Sequence, residues 1–368
     1  MDMVQMEKLL ESVVRQGAED LIITVGTPPT IRLYDQLERL PTRTLEPEDT
    51  VALMKSITPE HFQQELQEIG SADFGFTFQD KASFRVSVFR QQGNVSLVLR
   101  LIPWKIRSFE ELGLDVHIQE LLYRPRGLIL VTGPTGCGKT TTLATMIDYI
   151  NVNRRVHILT IEDPIEYRHP HKKALVNQRE LGIDVPTFAE ALRRALRQAP
   201  DVILVGEMRD LESTQLAVTA AETGHLVLST VHTKSAQDTI DRIIDQFPAN
   251  QQQQIRTQLA STLIAAISQM LVPRANGKGL VAAFEILLAN NAVRNLIREA
   301  KTFRIDSTIQ TSRDKGMKLL DDSLLELYSK GMVDRTEVMT LCRYPEEVAK
   351  RLAEMEEAAV ETQAENER

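Results

Sequence analysis

Residues 127–144 read Gly127-Leu128-Ile129-Leu130-Val131-Thr132-Gly133-Pro134-Thr135-Gly136-Cys137-Gly138-Lys139-Thr140-Thr141-Thr142-Leu143-Ala144. A short, wholly apolar run passes into a glycine-rich loop and then into a stretch with Leu143, Met146, Ile147 and Ile150 at helical spacing. Gly133 to Thr140 fit G-x-x-x-x-G-K-[ST], and each residue type has a reason to be there. Glycines let the loop curl so that several backbone N–H groups face one anion. Lys139 is placed for the β- and γ-phosphates of a nucleotide, and the Thr140 hydroxyl for Mg²⁺. The helix that follows aims its positive N-terminus at the same phosphates. The expected nucleotide contacts are therefore Gly133, Pro134, Thr135, Gly136, Cys137, Gly138, Lys139, Thr140 and Thr141, with Cys137 as a spacer. Chance produces this pattern in roughly one chain in a hundred of this length, and far less often between a strand and an amphipathic helix.

Further apolar runs follow at Val156–Ile161, Val202–Val205 and Leu226–Thr230, as expected of strands buried on both faces of a parallel sheet. Helical patterns separate them. One spans 187–198, with a Thr187-x-x-Glu190 capping box and a stripe of Phe188, Ala191, Leu192, Ala195 and Leu196. Strand and helix in alternation predict a doubly wound α/β core.

A phosphate loop needs an acid at a nearby strand end, for the metal or for the attacking water. Glu162-Asp163-Pro164-Ile165-Glu166 and Gly206-Glu207 both follow apolar strands, at the carboxyl ends where ligands of such sheets gather. Glu162 and Glu207 are the leading candidates. Asp210 is placed to cap the helix from Leu211. His225 and His232 bracket the fourth strand, and His232 is placed to sense the γ-phosphate.

Towards the N-terminus, Phe84–Arg90 and Val95–Arg100 alternate with period two around a Gln91-Gln92-Gly93-Asn94 loop, as in a hairpin. A helical pattern at 6–14, stopped by Gly17, and a short strand at 21–25 complete a small α+β region. Beyond about residue 288 the pattern is helical, ending in a Glu/Ala-rich stretch expected to fray into disorder.

The chain has 368 residues and a formal net charge of −8, which suits a soluble protein of about two domains. Its N-terminus lacks the basic and apolar regions of a secretory signal, and no apolar run approaches the ~20 residues of a membrane span. Two cysteines, Cys137 and Cys342, make neither a disulfide framework nor a four-thiolate zinc site. A negative charge and a lone Trp104 argue against direct nucleic-acid binding.

Four blocks in this order (Gly133–Thr140, Glu162–Glu166, Val202–Glu207 and His225–His232) resemble the secretion-type ATPases of type II secretion and type IV pili. Ala292-Val293-Arg294-Asn295-Leu296-Ile297-Arg298-Glu299 is similar to a box of the retraction branch, and the lack of a tetracysteine module favours that branch over the extension motors. The resemblance implies a RecA-like P-loop core at 116–290, a PAS-like α+β domain at 1–102, a linker at 103–115, C-terminal helices at 291–350 and an acidic, disordered tail at 351–368. It also implies ATP and Mg²⁺ as cofactors and hydrolysis coupled to domain rotation, retraction and twitching. The metal would fall to Thr140 and Glu207, and water activation to Glu162. His225 and His232 would read the nucleotide. Arg85 and Arg100 would act across a homohexamer on the neighbour's γ-phosphate. Gln92 departs from the pattern: many members carry arginine there, and here Arg90 lies two residues earlier. The implied location is cytoplasmic, held to the inner membrane through a pilus platform protein, with a second retraction ATPase as a further partner. An accessory motor of the same branch is the alternative, and a RecA-like nucleic-acid motor or a nucleotide-binding regulator a more distant one.

Overall fold

The computed structural model describes residues 4–33, 36–79, 82–102 and 105–366. Met1-Asp2-Met3, Pro103, Trp104, Glu367 and Arg368, touched on above, lie outside them. The chain divides into two compact units. One is the chain up to Ile106 together with Pro164–Arg168, and the other is Arg107–Asp163 with the chain from His169 on.

The first unit is built on a six-stranded sheet of β1 (Asp20–Ile23), β2 (Thr30–Leu33), β3 (Gln36–Arg39), β4 (Ser71–Phe78), β5 (Ala82–Gln91) and β6 (Asn94–Ile102). Its order is β3-β2-β1-β6-β5-β4, antiparallel throughout. Period two places Phe84, Val86, Val88, Leu97 and Leu99 fully inside, each worth about 1.5–3 kcal/mol by removal from water. Helices Met6–Gln16, Pro47–Ile57 and Glu60–Glu68 supply Leu9, Leu10, Val13, Leu53, Phe62 and Leu66 to that core. The β5–β6 turn is Gln92-Gly93, with φ +49° and +78°. Both central residues are left-handed, as a tight turn between strands of right-handed twist requires.

The second unit holds a seven-stranded sheet of β7 (Gly127–Thr132), β8 (His157–Glu162), β9 (Leu175–Glu180), β10 (Val202–Val205), β11 (Leu226–Val231), β12 (Leu263–Pro273) and β13 (Leu280–Leu288). The order is β13-β12-β7-β11-β10-β8-β9, parallel except for the antiparallel edge strand β13. Alternate residues of each central strand feed two cores. Leu143, Met146, Ile147 and Ile150 of helix Lys139–Asn153 pack against Ile129, Val131, Leu204 and Leu228. Helices Phe188–Ala195, Leu211–Thr223, Ala236–Asp245 and Gln252–Thr262 pack against Leu128, Leu130, Ile203, Val205 and Val227. Thr187 caps the first of these by accepting from the Glu190 amide, and Asp210 caps the second by accepting from that of Ser213.

Strands β9, β12 and β13 are additions to the four read from the sequence. The stretch 107–114 is not a bare tether either, since Phe109, Leu112 and Leu114 are buried in the core of the second unit. At the far end Leu320, Leu324, Val338 and Leu352 close a last core over Val272, Val281 and Ala283 of β12 and β13. The final helix runs from Pro345 to Asn366, through the stretch expected to be disordered. Alanine and glutamate are strong helix formers and carry a helix past the point where apolar packing ends.

Candidate active site

Four adjacent strands of the second unit deliver the candidate residues to one edge of the sheet. The glycine-rich loop leaves β7, Glu162 ends β8, Glu207 follows β10, and His232 follows β11. Parallel pairing puts all four carboxyl ends together, the usual place for a ligand on an open α/β sheet.

In the loop Gly133, Gly136 and Gly138 have φ of +142°, +79° and +88°, and Gly138 caps helix Lys139–Asn153. Pro134, Thr135 and Gly136 are exposed at its crown, while Cys137 is buried and Thr140 and Thr141 are half-buried. Burial pushes the Cys137 thiol up. Lys139 Nζ donates to the carbonyls of Gly133 and Pro134, each at 2.9 Å, so the ammonium lies over the mouth of the loop. Burial lowers its pKa, and the nearby Glu207 opposes that.

Glu162 is buried, and its Oε1 accepts from Thr160 Oγ1 at 2.6 Å and from Gln178 Nε2 at 3.1 Å. Thr160 lies on the same strand and Gln178 on β9, so the carboxylate is held from two sides. At Gly206 β8 runs close by: a Cβ there would sit 3.2 Å from the Ile161 carbonyl oxygen, so a larger residue would push the strands slightly apart. That approach sets Glu207 beside the end of β8. Glu207 meets Arg209 Nε at 2.6 Å and His232 Nε2 at 3.6 Å. Burial and then Lys139 hold His232 below its ordinary value, although Glu207 pulls the other way, so near neutral pH the ring is a neutral polar partner.

Other expected residues lie elsewhere. His225 stands at the amino end of β11, where its carbonyl accepts from Gly127 N and its Nδ1 faces the Ala220 carbonyl at 3.0 Å. Six strand residues, about 20 Å of extended chain, separate it from His232, so the fold does not bring it to the loop. His225, expected from the sequence to contact the nucleotide, thus stands at the end of β11 away from the loop of its own chain. The acidic run also divides. Glu162 and Asp163 belong to the second unit, but Pro164–Arg168 groups with the first, where Glu166 lies 3.8 Å from Arg85. Arg100 binds the buried Asp20 at 2.8 Å, and Asp20 also takes Arg32 at 3.0 Å. Cross-strand register sets Arg32, Asp20, Arg100 and Arg85 in one row across β2, β1, β6 and β5. Arg294, of the retraction-type box, donates to the carbonyls of Ala260, Ser261, Leu263 and Ala289, capping the helix before β12.

Loop amides gathered by three glycines, a lysine over them and two acids at neighbouring strand ends define a P-loop ATPase. The sequence profile described as Type II/IV secretion system protein matches residues 5–365, so the chain belongs to that family. It is 47% identical to the type IV pilus retraction ATPase PilT of Pseudomonas aeruginosa, over 92% of this chain and 98% of that one. It is 39% identical to the type IV pilus ATPase PilU of the same organism, over 90% and 86%. A crystal structure of the pilus retraction motor PilT with bound ADP superposes with a TM-score of 0.88 at 46% identity, covering 94% of this chain and 99% of that one. No helix among the described residues is long and apolar enough to cross a membrane.

Proposed function

We propose that the chain is the motor ATPase of a pilus retraction machine. What carries this reading is the 47% identity to a retraction ATPase along nearly the whole of both chains, joined to a complete set of loop, lysine and strand-end acids. The lower identity to PilU makes an accessory motor the second reading.

The loop amides, Lys139 and the N-terminus of helix Lys139–Asn153 bind the phosphates of ATP. Thr140 and Glu207 would hold Mg²⁺, which neutralises phosphate charge when bound. The donors fit: a hydroxyl and a carboxylate are both oxygen ligands, the kind this ion takes. A site completed by phosphate and water is what that ion prefers. Glu162, fixed by Thr160 and Gln178, is the base that orients and polarises the attacking water. His232, next to Glu207, reads the state of the phosphate. Arg85 is the freer of the two sheet arginines and Arg100 the more committed, to Asp20. Both would serve the neighbouring subunit of a homohexamer, in which successive hydrolysis rotates the N-terminal domain against the core. The domain limits expected from the sequence belong to this proposal, with 107–114 joined to the core and the last helix running to Asn366. So do a cytoplasmic ring attached to the inner membrane through a platform protein, and cooperation with a second retraction ATPase.

Deleting the gene and restoring either the wild-type or the Lys139→Ala chain tests the role. Hyperpiliated, non-twitching cells with Lys139→Ala are expected; cells without pili would indicate an extension motor. Single-turnover hydrolysis assigns the acids. Glu162→Gln should cut the rate by about 10²–10⁴ while Mg²⁺-nucleotide still binds, and Glu207→Gln should weaken Mg²⁺ dependence. A near-normal rate for Glu162→Gln would remove it as the base.

A further inference from the structure

We infer that Gln269 of β12 is the positioning residue of the phosphate loop. It is nearly fully buried and has both ends of its amide engaged. Its Nε2 donates to the Cys137 carbonyl at 2.6 Å, and its Oε1 accepts from the Thr142 hydroxyl at 2.6 Å. Cys137 lies inside the loop and Thr142 in the first turn of the helix behind it. One side chain therefore fixes the curl of the loop and the angle at which it enters the helix.

The backbone of the same residue forms the rear wall. A Cβ on Gly133 would lie 2.3 Å from the Gln269 carbonyl oxygen, and one on Gly138 would lie 2.9 Å from its Nε2. Gln269 thus adds crowding at two of the three loop glycines, whose φ of +142° and +88° already favour glycine. One residue earlier, Ser268 shares a buried hydrogen bond of 2.8 Å with Thr132, the last residue of β7. The mount is stiff, because β12 is paired with β7 on one side and β13 on the other. Further along, Val272 is buried in the core of the C-terminal helices. A loop on a strand held from three directions keeps its amides aimed without spending binding energy to order them. Both ends of its amide are taken by Cys137 and Thr142, and Gln269 acts through them.

The inference rests on the nucleotide-binding reading of the loop, and the test separates the two. A fluorescent ADP analogue with Mg²⁺ is titrated onto the full chain, and the Tm of each variant is recorded without nucleotide. Wild type should bind and Lys139→Ala should bind far more weakly; failure of wild type to bind would count against the nucleotide reading alone. Gln269→Met keeps the length and removes both hydrogen bonds, so Kd should rise about tenfold. Thr142→Val should raise Kd several-fold, Thr142→Ser should stay near wild type, and the double variant Gln269→Met/Thr142→Val should be no worse than Gln269→Met. A residue that only fills the core would lower Tm and leave the Kd of the folded protein unchanged. A Kd within twofold of wild type for Gln269→Met, or two effects that simply multiply, overturns the inference. If Gln269→Met does not fold, equal Kd values for Thr142→Val and Thr142→Ser overturn it.

Discussion

Two alanine substitutions a few residues apart in the loop should differ sharply. At Gly136 φ is +79°, and nothing stands within 4 Å of where a Cβ would be. The cost of Gly136→Ala is the left-handed conformation alone, about 1–2 kcal/mol, or roughly 5- to 30-fold in the population of the competent loop. At Gly133 φ is +142°, and the Cβ would lie 2.3 Å from the Gln269 carbonyl oxygen and 2.5 Å from Cys137 Sγ. Backbone strain of about 1–3 kcal/mol and overpacking of a similar size sum to about 2–6 kcal/mol. That is at least a thirty-fold loss, by roughly 1.4 kcal/mol per factor of ten. The neighbour cannot move cheaply either, since Gln269 sits on a strand paired on both sides. The assay is Mg²⁺-ADP titration with the Tm measured in parallel. Adding Cys137→Ala to Gly133→Ala separates the two contacts: it removes the sulfur and leaves the carbonyl clash, so it should restore little. Equal losses for Gly133→Ala and Gly136→Ala would refute the reasoning, and full rescue by Cys137→Ala would move the clash to the sulfur.

Two further expectations concern stability. Burial pushes the Glu285 carboxyl up to about 7, against the pull of the Ala236 amide and then Arg343, from an ordinary value of 4.5. A raised carboxyl stabilises the fold fully below 4.5, and that contribution is lost as pH climbs to about 7, an effect of about 3 kcal/mol in all. Glu285→Gln should therefore gain stability relative to wild type between pH 5 and pH 8 in urea denaturation, and an identical difference at both would count against it. Asp20→Asn removes the anion shared by Arg32 and Arg100. With charge-assisted hydrogen bonds worth about 1.5–3 kcal/mol, amide exchange across β1 and β6 should quicken by at least tenfold; unchanged protection would mean that the pair adds nothing.

What the sequence disclosed and what it withheld divide along a physical line. The loop, Glu162, Glu207 and His232 could be read because each follows a run buried on both faces, and such runs are continuous and apolar. The position of a residue relative to its strand was the unsafe step. His225 and His232 flank one strand and look like a pair, but a strand moves its two ends apart by its full length. Glu166 lies four residues after Glu162 and looks like part of the same cluster, yet Pro164 begins a segment that packs with the other unit. Strand β12 was hidden for a different reason. It starts at Leu263, directly after a helix ending at Thr262, without a glycine or proline between them. Its Leu-Ile-Ala-Ala-Ile run has no period that separates strand from helix. Since Gln269 lies on β12, the support of the loop was hidden with it. A phosphate-binding motif names the groups that meet the anion. Groups that crowd two of its glycines come from β12, far along the chain, set beside the loop by the pairing of Ser268 with Thr132, and pairing at that range leaves no local mark on either segment.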